Sequence, residues 1–378
     1  VAPDLEPVRT DWDQLPGLVR ELANTSFDVT AEVPIRIRLY AVGDGEIIVA
    51  FVVHHISADG SSMGPLTRDL VAAYVARSGG YEPGWEPLPV QYADYSLWQR
   101  EVLGDESDPE SLAAKQIAFW KQSLDGLPDQ LDLPTDRPRP AEQSFAGDDV
   151  EFDIDADLHR KLVELARARN STLFMAVHAA FAVLLARLSG TEDITVGTPI
   201  AGRGRRELDD LIGMFVNTLV LRSHVDVSGS FDALLEQTRE RDLQAFAHAD
   251  VPFERLVEVL NPERSTARHP LFQVGLSFQN LAATSLELPG LTVSGLDAQV
   301  QTSQFDLHLV AADRYHEDGS PAGIGSVLTF ATDLFDRSTV AGIAERFVRV
   351  LEQIVAEPEL PVGDLDILGV EERNLVLE

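Results

Sequence analysis

Ile47-Ile48-Val49-Ala50-Phe51-Val52-Val53-His54-His55-Ile56-Ser57-Ala58-Asp59-Gly60 is an unbroken apolar run that stops at two histidines and turns at a glycine. The run predicts a buried strand, and the apolar spacing that follows predicts a helix over Ser61 to Arg77. An imidazole is thus presented at a strand end. Asp59 follows His55 by four residues, and Gly60 lets the backbone turn into the helix. Such a layout suits a base that accepts a proton from an attacking amine or hydroxyl near neutral pH. The same residues also fit two satisfied histidines and an aspartate helix cap, so both readings stay open at this point.

Outward from this stretch, Ile35 to Val42 and Glu46 to His55 read as two strands joined by Gly43-Asp44-Gly45. The second is apolar on both faces and is expected to be central. The next helix carries Leu66, Leu70, Val71 and Tyr74 at helical spacing, and further helical patterns cover Tyr92 to Leu103 and Ser111 to Ser123. Proline density rises between Leu127 and Pro140, which suggests a linker between two lobes.

A second lobe then starts with a strand near Asp149 to Phe152 and helices over Ala156 to Arg169 and Thr172 to Leu188. Strand patterns recur at Ile194 to Ile200, Phe215 to Val225, Leu271 to Gln279, Leu291 to Leu296, Phe305 to Ala311 and Ile324 to Phe330. Helices are expected over Phe231 to Ala247 and Ser338 to Ala356, and Pro252-Phe253 reads as another helix start. Strands and helices interleave in both halves, which predicts an α/β sandwich in each.

At 378 residues the chain is long enough for two lobes, and its 44% apolar content supplies their cores. The formal charge of −32 argues against a nucleic-acid partner, whose phosphates would be repelled. No run approaches the roughly 18 apolar residues of a membrane helix, and Val1-Ala2-Pro3-Asp4 has no signal-peptide layout. The chain has no cysteine, which removes thiol nucleophiles, disulfides and thiolate metal sites together. All of this suits the cytoplasm. No HExxH occurs, and no histidine pair has zinc spacing, so no metal is expected.

The HHxxxDG pattern at His54–Gly60 resembles the third core motif of condensation domains from nonribosomal peptide synthetases, relatives of chloramphenicol acetyltransferase. Tyr92-Ala93-Asp94-Tyr95-Ser96-Leu97-Trp98-Gln99 resembles the fourth motif, and Leu133-Pro134-Thr135-Asp136-Arg137-Pro138-Arg139-Pro140 the proline-rich stretch after it. Ile212-Gly213-Met214-Phe215-Val216-Asn217-Thr218 resembles the fifth, Ala247 through Glu254 the sixth, and Arg264 through Phe272 the seventh. The resemblance covers essentially the whole chain. It implies two chloramphenicol acetyltransferase-like α/β lobes arranged in a V, with the active site at their interface.

The implied division is residues 1–133 as an incomplete N-terminal lobe, 134–364 as the C-terminal lobe, and 365–378 as the start of a linker to an adenylation domain. The family's first two motifs would lie upstream of Val1. The second carries an arginine that pairs with the motif aspartate, so the resemblance leaves the partner of Asp59 unnamed.

The implied reaction is attack of a carrier-bound acceptor amine on a carrier-bound donor thioester, forming an amide and releasing the donor carrier's thiol. Substrates would ride on phosphopantetheine arms of donor and acceptor carrier proteins, with no cofactor bound permanently. The resemblance gives the catalytic role to His55, as base or as acceptor positioning the amine, and makes His54 a packed, hydrogen-bonded neighbour. Consecutive residues in a strand leave opposite faces, which fits one histidine per cavity.

Asp59 resembles the family's structural aspartate, with a direct orienting contact to His55 as the alternative. The Gly60 N–H and the amides opening the next helix are candidate donors to the tetrahedral oxyanion. Ser61 and Ser62 are candidates for substrate contact or for capping that helix. Asn217 is a candidate for contacting the donor or for satisfying backbone. Tyr92, Tyr95 and Trp98 share one helix face and read as core packing. Gly202-Arg203-Gly204-Arg205-Arg206 reads as a solvated basic loop, with an acidic carrier surface or phosphopantetheine as the alternative.

Gly60-Ser61-Ser62-Met63-Gly64 looks like the version of the motif found with L-configured donors. Epimerisation, acyl transfer from CoA or a carrier to an alcohol, and a non-catalytic docking domain are the other readings within the superfamily. The family's docking domains have lost the active-site residues, whereas His55, Asp59 and Gly60 are intact here.

Overall fold

The computed structural model describes residues 5–43, 45–279, 288, 291, 293–295, 302–369 and 372–373. Chain contacts divide it into two compact units. The first joins Val1–Val102 to Ala201–Val216 and Leu281–Val300; the second joins Leu103–Ile200, Asn217–Asn280 and Gln301–Glu378. A single boundary at 133/134 was expected, whereas the observed units interleave along the chain.

The first unit opens with β1 (Val8–Thr10), α1 (Leu15–Asn24), β2 (Ile35–Val42) and β3 (Glu46–Val53), followed by α2 (Met63–Ser78) and α3 (Tyr92–Leu103). The hairpin β2–β3 is antiparallel from Ile35↔Val53 to Val42↔Glu46, with Gly43 and Gly45 both at positive φ, as its turn requires. Asp44 lies outside the described residues. Tyr40, Val42, Ile48 and Ala50 pack on Leu15, Leu18 and Val19 of α1, so one face of the sheet is covered.

The order is β1-β2-β3, so β2 is the central strand and β3 an edge among the described strands, contrary to expectation. β1 takes the position beside β2, in parallel. The double-sided apolarity of β3 is genuine, but Ile47 (50% exposed), Val49 (48%) and Phe51 (38%) lie on the face away from α1.

The second unit holds α4 (Leu112–Ser123), β4 (Gly147–Ile154), α5 (Ala156–Ala168), α6 (Leu173–Ser189), β5 (Asp193–Ile200), β6 (Asn217–His224), α7 (Phe231–Ala247), α8 (Phe253–Leu260), β7 (Val274–Gln279), β8 (Leu307–Tyr315), β9 (Pro321–Ala331) and α9 (Arg337–Ala356). Its sheet runs β4-β9-β8-β7-β5-β6. The β5–β7 and β7–β8 pairs are parallel and the others antiparallel. The strand expected over Leu291 to Leu296 is not formed by its described residues: Leu291 makes only an isolated bridge to Leu288, and 293–295 are irregular.

α6 is the centre of this unit. Thr172 caps its start, the Thr172 Oγ1 accepting the Met175 N–H at 3.2 Å, and Gly190 ends it at φ 71°. Every residue from Met175 to Ala186 is buried, as an all-round apolar helix must be. Among the described residues no single helix is long and apolar enough to cross a membrane.

The proline-rich stretch is not a free linker. Arg139 donates to Asp306 (Nη1 to Oδ1, 2.9 Å), Arg137 pairs with Asp336, and the Asp136 carboxylate accepts the Asp336 N–H at 2.7 Å. These ties, all inside the second unit, explain why no boundary falls there. The tail is likewise part of the unit. Arg187 Nη1 donates to the carbonyls of Val362, Gly363 and Leu365, and Gln353 brackets the backbone of Asp366. Leu365 and Ile367 are buried, and Glu372 pairs with Arg346 at 2.7 Å. The expected linker start at 365 therefore packs as core up to Ile367.

His308 on β8 sits with its Nε2 2.8 Å from Ser277 Oγ, and burial pushes its imidazole down to about 4 against a weaker upward pull from Asp149. The unfolded imidazole titrates near 6.5, so between those values the unfolded chain binds a proton that the folded chain refuses. This contribution is complete above pH 6.5 and is lost as pH falls toward 4, by about 2 kcal/mol at pH 5. Urea unfolding of the second unit should therefore weaken between pH 7.5 and 5 by about that much more in wild type than in His308→Asn. Equal losses in the two proteins would refute the role given to His308.

Candidate functional site

β3 ends at Val53, two residues earlier than the sequence pattern suggests. The chain then makes two tight single-turn helices, His55–Ser57 and Gly60–Ser62, before α2 begins. His54 and His55 are thus separated by a turn rather than by strand alternation. The His54 Nδ1 accepts the Ile56 N–H at 3.1 Å, and the ring stands edge-on to Phe27 at 5.9 Å. His54 is spent on structure. His55 is exposed in this unit, and its ring has no hydrogen-bond partner among the described residues.

Asp59 faces the other way and is 3% exposed. Its Oδ1 accepts the Ser62 N–H at 2.9 Å and Arg203 Nη2 at 2.9 Å; its Oδ2 accepts the Phe215 N–H at 3.0 Å. Burial pushes the carboxyl up. The donors Ser62, Arg203 and Phe215, with the charge of Arg203, outweigh it and hold Asp59 below the usual carboxylate range. None of these bonds reaches His55, so the alternative of a direct orienting carboxylate is not what the geometry contains. Asp59 caps the turn that leads into α2, and Ser62 completes a capping box by accepting the Asp59 N–H at 3.3 Å.

Asp59 pairs with Arg203, inside the chain, where the resemblance had pointed to an arginine upstream of Val1. Arg203 had read as part of a solvated loop, yet its side chain is 7% exposed. Nη1 donates to the carbonyls of Leu208 (2.6 Å) and Leu211 (2.8 Å), Nη2 to Asp59 and to Ser62 Oγ (2.9 Å), and the guanidinium lies 4.1 Å over the Phe215 ring. Gly202 makes this approach possible: at φ 64°, a Cβ there would fall 1.8 Å from the Phe215 carbonyl oxygen. Arg205 stacks over Trp98 at 4.9 Å and is not free either.

Ser62 is fully buried. Its hydroxyl lies 2.8 Å from Asp59 Oδ1 and 3.0 Å from the Gly213 carbonyl, and it accepts the Gly213 N–H at 3.1 Å. It therefore has no capacity left for substrate, contrary to that expectation. Ser61 is half-buried and Gly60 exposed, and the N–H groups of both lack a partner among the described residues.

In the second unit Asn217 is saturated as well. Its Nδ2 donates to the carbonyls of Ala249 and Val251, both at 2.9 Å, and its Oδ1 accepts the Thr218 and Phe253 N–H groups. The expectation of donor contact gives way to a staple that holds residues 249–253 and caps α8. Gln116 accepts the Asp250 and Val251 N–H groups of the same loop, and Trp120 Nε1 donates to the His248 carbonyl at 2.8 Å. Sequence reading missed one further cluster. His178 Nδ1 lies 3.1 Å from Asp242 and Ser223 Oγ 3.5 Å from His178 Nε2, each residue 1% exposed. The types are those of a hydrolase triad, but no substrate reaches atoms so buried.

Arg203→Lys keeps the charge but loses the planar fork that serves four acceptors. With Asp59 left short of donors in a dry site, the first unit should lose about 3 kcal/mol. Chemical denaturation of the two proteins measures this, and a loss below about 0.5 kcal/mol, the scale of surface pairs, would show the network to be dispensable.

The Condensation domain family model matches residues 8–377. The chain is 50% identical over 374 residues to CymA of Salinispora arenicola, described as a probable nonribosomal peptide synthetase, covering 99% of this chain and 5% of that one. It is 47% identical over 372 residues to the dimodular nonribosomal peptide synthase of Bacillus subtilis, covering 98% of this chain and 16% of that one. The chain thus spans a small fraction of the length of these relatives. Among solved structures, the X-domain of teicoplanin biosynthesis in complex with OxyB matches at a TM-score of 0.91 and 36% identity, covering 97% of this chain and 80% of that one. The four-domain synthetase holo-AB3403, bound to AMP and glycine, matches at 0.84 and 28%, covering 99% of this chain and 28% of that one. With the motifs from His54 to Phe272 and a mixed α/β fold built on two sheets, this chain belongs to the condensation-domain family of nonribosomal peptide synthetases.

Proposed function

We propose that the chain catalyses amide formation between two carrier-bound substrates, with His55 at the reacting amine. The acceptor nitrogen attacks the donor thioester carbon, the C–N bond forms, the C–S bond breaks, and the donor carrier leaves as its thiol. The proton lost by the amine passes to His55 or is held toward it while the thiolate takes it up. The observation that carries this reading is the contrast within five residues: His55 exposed and unengaged, Asp59 four residues on sealed and fully engaged. A fold that spends a buried ion pair to shape a turn, and leaves one imidazole free on it, supports a site presented to something outside the chain.

The unpartnered Gly60 and Ser61 amides support a role as donors to the tetrahedral oxyanion. The donor and acceptor are read as thioesters on phosphopantetheine arms, the donor L-configured, and the neighbour in the synthetase as an adenylation domain. A second reading rests on the likeness to an X-domain seen in complex with OxyB: the chain would recruit another enzyme without catalysing transfer.

In the full-length protein, a donor acyl group loaded on one carrier and an amino acid on the other should yield an acceptor carrier heavier by the acyl group, read by intact-protein mass spectrometry. His55→Ala should slow transfer at least about 100-fold, the scale of one acid–base group, with carrier binding kept. Transfer unchanged in the variant would remove His55 from the chemistry. Silence of the wild type across several donor and acceptor pairs would favour recruitment.

A further inference from the structure

Three consecutive residues, Gly213, Met214 and Phe215, each have a backbone group held by a side chain from residues 59–92 of the same unit. Ser62 Oγ takes the Gly213 N–H at 3.1 Å and reaches its carbonyl at 3.0 Å. Tyr92 Oη donates to the Met214 carbonyl at 2.6 Å, and Asp59 Oδ2 accepts the Phe215 N–H at 3.0 Å. The Tyr92 ring lies on Gly213, where a Cβ would fall 2.2 Å from Cδ2, and stands edge-on to Phe215 at 5.2 Å. Tyr92 is thus in contact with all three clamped residues, and the core-packing role its helix face suggests accounts for the ring but not for the hydroxyl.

We propose that Tyr92 is a positioning residue for the condensation reaction. Its hydroxyl fixes the Met214 carbonyl, which keeps the 213–215 backbone in register with Asp59 and Ser62 and so fixes the turn that carries His55. The path is short and physical. Tyr92 Oη holds Met214; the next N–H, Phe215, is on Asp59; and Asp59 N-caps the turn that follows His55–Ser57. Burial, and then the charge of Asp59, push the Tyr92 phenol up, so it remains the donor this bond needs. The inference rests on the proposed reaction for its consequence, while the coupling of Tyr92 to His55 is testable without it.

Tyr92→Phe keeps the ring and deletes the hydroxyl; Ser62→Ala removes the neighbouring clamp and serves as the second variant. The 378-residue chain labelled with ¹³C at histidine Cε1 reports on His55 directly, its peak assigned by its loss in His55→Gln. Both clamp variants should displace the His55 peak. Val340→Ala, a cavity in α9 of the second unit, lowers stability but should leave that peak in place. In single-turnover transfer, Tyr92→Phe should be about five-fold slower at saturating carriers, the scale of one hydrogen bond, with the half-saturating carrier concentration unchanged. A His55 peak that stays put in Tyr92→Phe overturns the inference, as does transfer at the wild-type rate. If wild type transfers nothing, the proposed reaction fails, and a displaced peak still upholds the coupling.

Discussion

A carboxylate removed from water must find charge and donors inside the chain, or it will take up a proton or push the structure open. Asp59 meets that demand with Arg203, 144 residues away in sequence, and much of the first unit's organisation follows from it. To reach Asp59, the 201–216 segment passes Gly202 against the Phe215 carbonyl and lays Leu208, Leu211 and Phe215 on Tyr95. The guanidinium has donors enough to hold the carbonyls of Leu208 and Leu211 as well, so one side chain fixes both the motif turn and the segment's own path. The pair alone need not add stability over an apolar substitute. What it does impose is geometry, because neither partner can move without stranding the other.

That geometry sorts the motif's residues into two groups. His54, Asp59 and Ser62 are engaged within the chain, and their hydrogen bonds define where the backbone goes. The His55 ring and the Gly60 and Ser61 amides have no partners among the described residues. The stretch His54 to Ser62 thus contains a scaffold and a presented face, and the tight turns at His55–Ser57 and Gly60–Ser62 are what separate them.

Much of this was legible in the sequence wherever the information is local. α3 and α7 begin and end where the apolar period does, and Thr172 and Ser111 announce their helices because a cap acts within three residues. What the sequence hid is pairing at a distance. Nothing beside Arg203 distinguishes a buried arginine from a solvated one; the flanking glycines, one at φ 64°, were the available sign of a tight approach. For Asn217 and Ser62 the substrate and backbone alternatives stayed open in the sequence, because a polar residue in a motif looks the same whether it serves a ligand or the backbone of a neighbouring loop. The three residues of β1 carry too little pattern to announce a strand, so β3 took the central place in the sequence reading that β2 holds in the fold. Proline density suggested a linker, but proline also suits a strap whose shape is set by ion pairs, as at Arg137 and Arg139.

The direction of Asp59 also constrains the chemistry proposed for His55. In a triad, a carboxylate on one ring nitrogen raises the basicity of the other and stabilises the imidazolium formed in the reaction. Here the nearest motif carboxylate is committed to Arg203, Ser62 and the Phe215 amide, and it gives nothing to the ring. His55 therefore acts, in the proposed reaction, without a carboxylate from its own motif. The thiol is a good leaving group, so the step depends less on a strong base than on a neutral amine held in line with the carbonyl carbon. On the proposed reaction, precision of placement matters more than basicity, and the buried arginine, serine and tyrosine around residues 59–62 are the side chains that would supply it.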